Sequence, residues 1–482
     1  MARKAIAALG AVLSVGMLFT SAPSAQSPRN APTYNKDIAP LLYRSCAECH
    51  RPNQVAPMSL LSYQDARPWA RAIKSKVTSR EMPPWFADPH YGKFKNDKSL
   101  SQEEIDKISA WVDAGAPQGT GAAPAAPKFA ERGWSHPSGR PPDLVIDFPV
   151  DWHIAANGEM PNFNLYTPLP FREGKYVSAT QVLPGNFAAT HHITTAVVNM
   201  PPGTVLGRGP AWPGGPVTDY VPVAAEKGVT VDNTGDAAVA EDEDDGGGFG
   251  AYIPGAGARV ARPGQARLIR GDRFHYVRWN LHYQATGQPE TARPAIGVWW
   301  EDTGTVASVE RSLGLREQTS EGKALIANPA KPRNVGIASN VNPFLDPIPA
   351  NKANWTLTGI NGFQEDSTIQ AITLHMHLRG KDVTFVLTYP DGREEILLRV
   401  PKYDFNWQFQ YEFAEPIKVP AGSTVKAIAR FDNSPQNRLN PAPQKEVFWS
   451  EQSWDDMFLS SVRYTVDKAE KKSAPTQQGQ QQ

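Results

Sequence analysis

Cysteine is nearly missing from this 482-residue chain, which has two, Cys46 and Cys49. A disulfide framework is therefore excluded, and stability has to come from packing. Net charge is missing as well: 49 Lys and Arg stand against 49 Asp and Glu. Without a broad positive field there is nothing to hold a phosphate backbone, so nucleic acid is excluded as a partner. Beyond the first residues no apolar run is long enough to span a bilayer, and no membrane span is expected. Function must then lie in local sites. What the chain has in excess is proline, at 44 of 482 residues nearly twice its usual ~5%. That composition reads as loop-rich and partly β. At roughly 100 to 200 residues per domain, the length predicts about three domains.

The first residues read as an address. Arg3 and Lys4 precede the apolar stretch Ala5 to Phe19, and the small residues Ser21 to Ala25 follow. This is the pattern of a secretory signal peptide over residues 1–25, cleaved near Ala25; the apolar stretch is short of the ~20 residues a membrane anchor needs. The mature protein is expected in the periplasm or outside the cell, where disulfides would be permitted.

Both cysteines fall in Cys46-Ala47-Glu48-Cys49-His50. C-x-x-C-H is the c-type haem attachment pattern, in which two thiols add to the haem vinyl groups and the adjacent imidazole ligates the iron. A redox C-x-x-C would need a thioredoxin-like βαβ context, and a zinc half-site would need a second ligand pair; neither is visible. The surroundings predict small helices. Trp69, Ile73 and Val77 recur every fourth residue after Pro68. Ser101 and Glu104 form a capping box ahead of Ile105, Ile108, Trp111 and Val112, with Gly115 and Pro117 as stops. Between them lies Met82-Pro83-Pro84-Trp85, a stiffened loop suited to hold the Met82 thioether over the haem as sixth ligand; Met58 and His90 are the rivals. Residues 34–119 resemble the small monohaem c-type cytochromes found fused to exported bacterial enzymes.

Residues 120–142 are rich in Ala, Pro, Gly and Ser and read as a linker. Strand patterns follow. Val383, Phe385 and Leu387 alternate with their neighbours, Pro390-Asp391-Gly392 turns the chain, and Ile396 to Val400 returns; Val425, Ala427, Ala429 and Phe431 alternate too. The expected architecture is a multidomain one: a small all-α cytochrome c-like domain, then two all-β, jelly-roll-like sandwiches over 143–320 and 343–467, with a break between about Thr319 and Asn342. The acidic run 241–245 reads as a solvated loop, and residues 468–482 as a disordered tail.

Histidines number ten, and several are grouped. His375-Met376-His377 places two imidazoles on one face of a strand, within reach of one metal, while Leu374, Met376 and Leu378 face a core. Adjacent His191 and His192 can share a metal only at a twist, a strand end or a bulge. His282 stands alone in Leu281-His282-Tyr283. His90, His136, His153 and His275 read as surface or structural residues.

Taken with Asp455-Asp456-Met457, these motifs resemble, over roughly Val145 to Tyr464, the copper type II ascorbate-dependent monooxygenases, the family of peptidylglycine alpha-hydroxylating and dopamine beta-monooxygenases. The resemblance implies two coppers. His191, His192 and His282 would hold the electron-transfer copper; His375, His377 and Met457 would hold the oxygen-activating, catalytic copper. The donor chemistry agrees: imidazole suits copper in both common oxidation states, a thioether favours Cu(I), and blue-copper sites need a cysteine this chain has already committed to haem. Two departures stand against peptide amidation, Thr373 where amidating members carry arginine and Ser461 where they carry tyrosine. The expectation is an exported haem-copper monooxygenase with one covalent haem and two coppers. It would hydroxylate a C–H bond of a small organic substrate with O2. Electrons would come from an ascorbate-like reductant or a redox protein, through the haem and then the three-histidine copper. The alternative is a non-catalytic haem and copper electron carrier or copper-binding protein.

Overall fold

The fold comes from a computed structural model that describes residues 31–129, 133–158, 160–201, 203–211, 215–226, 248–318, 347–450 and 452–467. Residues 1–25, read as a signal peptide, the acidic run 241–245, the expected break between Thr319 and Asn342 and the tail 468–482 lie outside the described residues.

The N-terminal part is helical. Its main elements are Ala39–Ser45, Ala70–Thr78 and Gln102–Asp113, with short turns at Tyr34–Ile38, Tyr63–Ala66 and Arg67–Trp69. Tyr34, Leu42, Ile73, Val77, Ile105, Ile108 and Trp111 form its core. The capping box is present as read: the Ser101 side chain accepts from Glu104 N, and the Glu104 carboxylate accepts from Ser101 N. Gly115, at φ +87°, ends that helix in the left-handed conformation and lets Ala116 N reach Trp111 O at 2.9 Å. Trp69 departs from the expected stripe. It lies in the preceding turn and is 44% exposed, so the buried face starts at Ile73.

From Leu144 onward the described chain is mostly strand. A nine-stranded sheet runs in the order Leu144–Asp147, Ala295–Trp300, Gly174–Leu183, Gln265–Arg270, Ser308–Gly314, Phe458–Val466, Ser367–Met376 and Gln410–Val419, with Arg259–Val260 paired beside Gly174–Leu183. A four-stranded sheet (Phe163–Pro168, Tyr276–Tyr283, Thr190–Val198, Gly250–Tyr252) shares a core with the first half of it. A five-stranded sheet that includes Gly380–Thr388, Glu394–Val400 and Thr424–Phe431 shares a core with the second half. The alternation read from the sequence is the packing: Val383, Phe385, Leu387, Val425, Ala427, Ala429 and Phe431 are all fully buried.

One strand joins the halves. Ser308–Gly314 pairs in parallel with Gln265–Arg270 on one side and antiparallel with Phe458–Val466 on the other. The long sheet therefore crosses from one core to the next. The helical part is fastened to the far edge of this sheet, where Phe94 bridges Phe413, Lys95 N donates to Glu412 O at 2.8 Å, and Ala414 N to Lys93 O at 2.7 Å. That contact covers a strand edge that would otherwise be open to pairing with other chains. Among the described residues no helix is long and apolar enough to cross a membrane.

Replacing Ser101 by Ala removes one half of the capping box and leaves the N–H of Glu104 without its partner. The expected loss is about 1 kcal/mol, read as a lowered urea midpoint of the helical part by far-UV circular dichroism; an unchanged midpoint would contradict the assigned cap.

Candidate metal centre

The three-histidine set is built by a bulge. Along the paired strands Thr190–Val198 and Tyr276–Tyr283, His282 stands opposite His192, but Tyr283 stands opposite Thr190. His191 is the extra residue. The bulge is the feature that two adjacent histidines need in order to converge, and it brings the ligand atoms of His191, His192 and His282 within 4.8 Å of one another. All three are buried, and His191 Nδ1 lies 3.1 Å from His192 Nδ1.

The second set sits at the end of strand Ser367–Met376. Leu374 and Met376 point into the core, and His375 and His377 share the opposite face with ring centroids 4.9 Å apart. Met376 pairs with Phe458 at the end of the ladder, and half-buried Met457 immediately precedes Phe458 as His377 follows Met376. A buried carboxylate holds this junction: Asp456 accepts from His377 N (3.0 Å), Met457 N (2.9 Å) and Arg379 N (3.1 Å). Burial pushes the Asp456 pKa up to about 6, against the pull of those N–H donors. Arg379, 1% exposed, is satisfied by Asn433 Oδ1 and by the carbonyls of Trp454 and Asp455. Tyr403 closes the other side. Its hydroxyl donates to Met376 O (2.7 Å) and accepts from Met376 N (3.0 Å), standing in for a neighbouring strand. Gly380 is required at this approach, since a Cβ there would lie 2.7 Å from both Met376 Cβ and Tyr403 Cδ1.

The two sets meet. The rings of His192 and His375 are 6.2 Å apart, and Phe405 packs at 4.5 Å from His191 and 5.5 Å from His377. Five imidazoles thus share one buried region. Three of their nitrogens, His191 Nε2, His282 Nδ1 and His377 Nδ1, are buried without a hydrogen-bond partner. His375 differs: its Nδ1 is paired with Gln408 Oε1, which makes Nδ1 the donor and leaves Nε2 for a ligand. Burial, reinforced by the neighbouring imidazoles, lowers the pKa of His191 to about 4 and that of His282 to about 3; burial lowers His375 to about 4; His192 and His377 lie well below 6.5. Neutral imidazoles with free nitrogens fit a soft or borderline cation. Among the described residues, His191, His192 and His282 are the one group of three histidine, cysteine or acidic side chains close enough to share a metal. The pair His375 and His377 has no third histidine, cysteine or acidic donor in that sense among the described residues.

On the helical part, Cys46 caps the helix Ala39–Ser45, and Cys46 O accepts from Cys49 N (3.2 Å) and His50 N (2.9 Å), so both thiols and the imidazole leave one turn. The thiols are free and half-buried. His50 Nδ1 lies 3.3 Å from Met58 O; as donor in that bond it leaves Nε2 available to ligate. Met82 is half-buried, its N–H bonded to Lys76 O at 3.2 Å. Of the rivals, Met58 packs on the helical core, and exposed His90 is paired with Asp88 at 2.6 Å. His153 and His275 are exposed, and His136 stacks on Trp299 at 5.1 Å.

No family model and no curated protein matches this sequence. Among solved structures, allantoicase is similar at 10% identity over 58% of this chain and 79% of its own, with a TM-score of 0.16. PNGF-II is similar at 9% identity over 67% and 65%, TM-score 0.25, and the major capsid protein P2 of bacteriophage PM2 at 8% over 68% and 98%, TM-score 0.21. Likenesses this slight carry no argument about fold or function.

Sequence reasoning named every histidine of the cluster but not Phe405, Gln408 or Tyr403, which no motif marks. Asp456 stood in a quoted motif without a role.

The lowered histidine pKa values have a sign. Unfolded imidazoles take up protons near pH 6.5 while the folded ones resist until about pH 4, so the apo protein should be fully stable above pH 6.5 and lose stability as pH falls through that window. Urea midpoints measured from pH 8 to 4 test this. Cu(II) affinity should stay nearly flat from pH 7 to 5; an affinity that falls with a midpoint near 6.5 would contradict buried, neutral ligands.

Proposed function

We propose that the protein is an exported haem-copper monooxygenase that inserts one atom of O2 into a C–H bond of a small organic substrate. The observation that carries this reading is the three-plus-two arrangement of imidazoles with orphaned nitrogens, beside which one carboxylate, Asp456, binds the backbone of both His377 and Met457. His191, His192 and His282 are the ligands for one copper, and His375, His377 and Met457 for the other. Bound there, copper supplies one-electron redox chemistry and O2 activation. The residues do the rest: the bulge aims His191, Asp456 fixes His377 and Met457, and Gln408 sets the His375 tautomer. Cys46 and Cys49 would attach the haem, and His50 and Met82 would hold its iron, on a cytochrome c-like domain ahead of two sandwiches. Such a group would supply one-electron redox chemistry, and of the four electrons that O2 requires two would come from the substrate and two from an ascorbate-like reductant or redox protein.

Thr373 and Ser461 pair with each other across the ladder, and Thr373 Oγ1 accepts from Gln410 Nε2 at 3.0 Å. These uncharged partners favour a substrate recognised without the carboxylate that amidating enzymes bind. A second reading, a non-catalytic electron carrier, is favoured by one observation: His191, His192, His282 and His377 are buried, with Phe405 between the two sets.

Haem-matured protein is expected to bind two coppers per haem. After anaerobic reduction, an O2 pulse should reoxidise the haem rapidly only when copper is bound, and 18O from O2 should enter one member of a substrate panel. His375→Ala and Met457→Ala should each slow reoxidation by at least ~100-fold, the scale on which removal of a group essential to charge stabilisation or redox steps is felt. Unchanged reoxidation in the double variant would contradict the catalytic assignment; reversible haem cycling without substrate-dependent O2 uptake would establish the carrier.

A further inference from the structure

One face of the long sheet carries a transverse row of charge. Ser312 stands opposite Arg463 across the ladder, and Ala371 stands opposite both Arg463 and Glu412. Gln265 stands opposite Ser308, and Arg267 and Glu310 each lie two residues beyond that pair. Residues opposed across a ladder share a face, as do residues two apart along a strand, so all four charged side chains lie on one side of the sheet. Lys95 of the helical part closes the outer end by pairing with Glu412 at 2.5 Å. From the first half of the sheet outward the signs alternate: Arg267, Glu310, Arg463, Glu412 and then Lys95.

A further cation lies over this row. Arg259, opposite Thr180 on the short strand beside Gly174–Leu183, donates to Glu310 Oε2 at 3.1 Å. Three residues on, Arg262 donates to the carbonyls of Phe413 (2.6 Å) and Ala414 (3.2 Å), so this segment spans the face from Glu310 to the sheet edge. Beneath it Arg463 and Glu310 are each 6% exposed. Three guanidinium groups thus face two carboxylates. Even with Lys95, 47% exposed, left to solvent, one positive charge is unbalanced. Burial, with Arg259 close by, presses the Arg267 pKa well below 12.5, but a guanidinium still keeps its proton at neutral pH.

Hydrogen bonding shows the same shortfall. Arg463 donates from Nη1 to Gln410 Oε1 at 3.1 Å, while Glu310 and Glu412 lie 3.8 and 3.7 Å from its other nitrogens, beyond hydrogen-bond reach. Its Nε is buried without a partner. So is the Nε of Arg267, whose Nη2 donates to the uncharged Thr180 Oγ1 at 3.2 Å. Water could satisfy such an N–H but would leave the charge. A small anion meets both needs, and half-buried Arg259 and Arg267 are where it could enter from solvent.

We propose that Arg259, Arg267 and Arg463 form a binding site for one small monovalent inorganic anion of chloride's size on the face that joins the two cores. The anion accepts from guanidinium N–H groups that lack partners and removes the excess charge. The site stands apart from the imidazole cluster, and its test needs neither haem nor copper chemistry.

Chloride is the probe. The full-length protein is prepared in sodium gluconate, whose anion is too large for the site, and chloride replaces gluconate at constant sodium. The urea midpoint should rise with the logarithm of chloride once the site begins to fill, and the chloride magnetic resonance line should broaden with protein. Arg267→Met removes a charge that has no counter-charge. It should bind chloride at least ~tenfold more weakly, the scale of one charge-assisted hydrogen bond, with a gluconate midpoint no lower than that of the parent. Gln265→Glu supplies a carboxylate two residues away on the same face, where Gln265 Oε1 is itself buried without a partner. It should raise the gluconate midpoint and abolish the chloride response; if Arg267→Met fails to fold, this variant decides. Exposed Arg208, replaced by Met, should leave the response intact. A parent protein indifferent to chloride by both measurements, or a response that survives unchanged in Gln265→Glu, would overturn the site.

Discussion

A buried imidazole nitrogen without a partner costs about 1 to 3 kcal/mol, and the structure carries that cost at His191, His282 and His377 within one cluster. Much of the surrounding scaffold holds these groups where a cation could satisfy them. The bulge at His191 turns two neighbours toward a third strand. Asp456 binds the backbone on both sides of the strand end, and Tyr403 replaces a missing strand partner with one hydroxyl. Phe405 fills the space between the two sets with an apolar ring that cannot compete as a ligand. Such rigid support is what keeps metal ligands in place when the metal changes oxidation state.

The long sheet makes that cluster possible. Histidines from the two cores could lie far apart if each sandwich closed on itself. Because Ser308–Gly314 is shared, the half bearing His191, His192 and His282 is registered against the half bearing His375 and His377. The same sheet also fixes the helical part, whose residues 93–95 pair with its last strand. The Cys46–His50 turn and Phe409 approach the Gly255 loop from two sides, and linker residue Ser135 fastens that loop by accepting from Ala258 N at 2.8 Å.

Much of this was legible locally. The alternation of Val383, Phe385 and Leu387 reports burial because strand side chains alternate faces, and the Ser101 capping box reports a helix start because its bonds span only three residues. The spacing of His375 and His377 reports a shared face for the same reason as the alternation. For His191 and His192 the sequence states a condition, a bulge or its equivalent, but not its presence; that depends on how His282 is registered opposite them. Trp69 misled because helical spacing does not say which turn begins the buried face. The meeting of His192 with His375, and the roles of Phe405 and Gln408, are tertiary. They follow from the shared sheet, which no local pattern encodes, and the structures compared with this chain are too dissimilar to supply it.

The central claim is that this scaffold holds two coppers, only one of which has a thioether. X-ray absorption at the copper edge of the reduced, haem-loaded protein tests it most directly. The account predicts a histidine nitrogen shell for all the copper and a sulfur contribution from about half of it, one thioether for every two coppers. That sulfur signal should vanish in Met457→Leu while the nitrogen shell stays. A spectrum with no sulfur, or one unchanged by Met457→Leu, would contradict the claim.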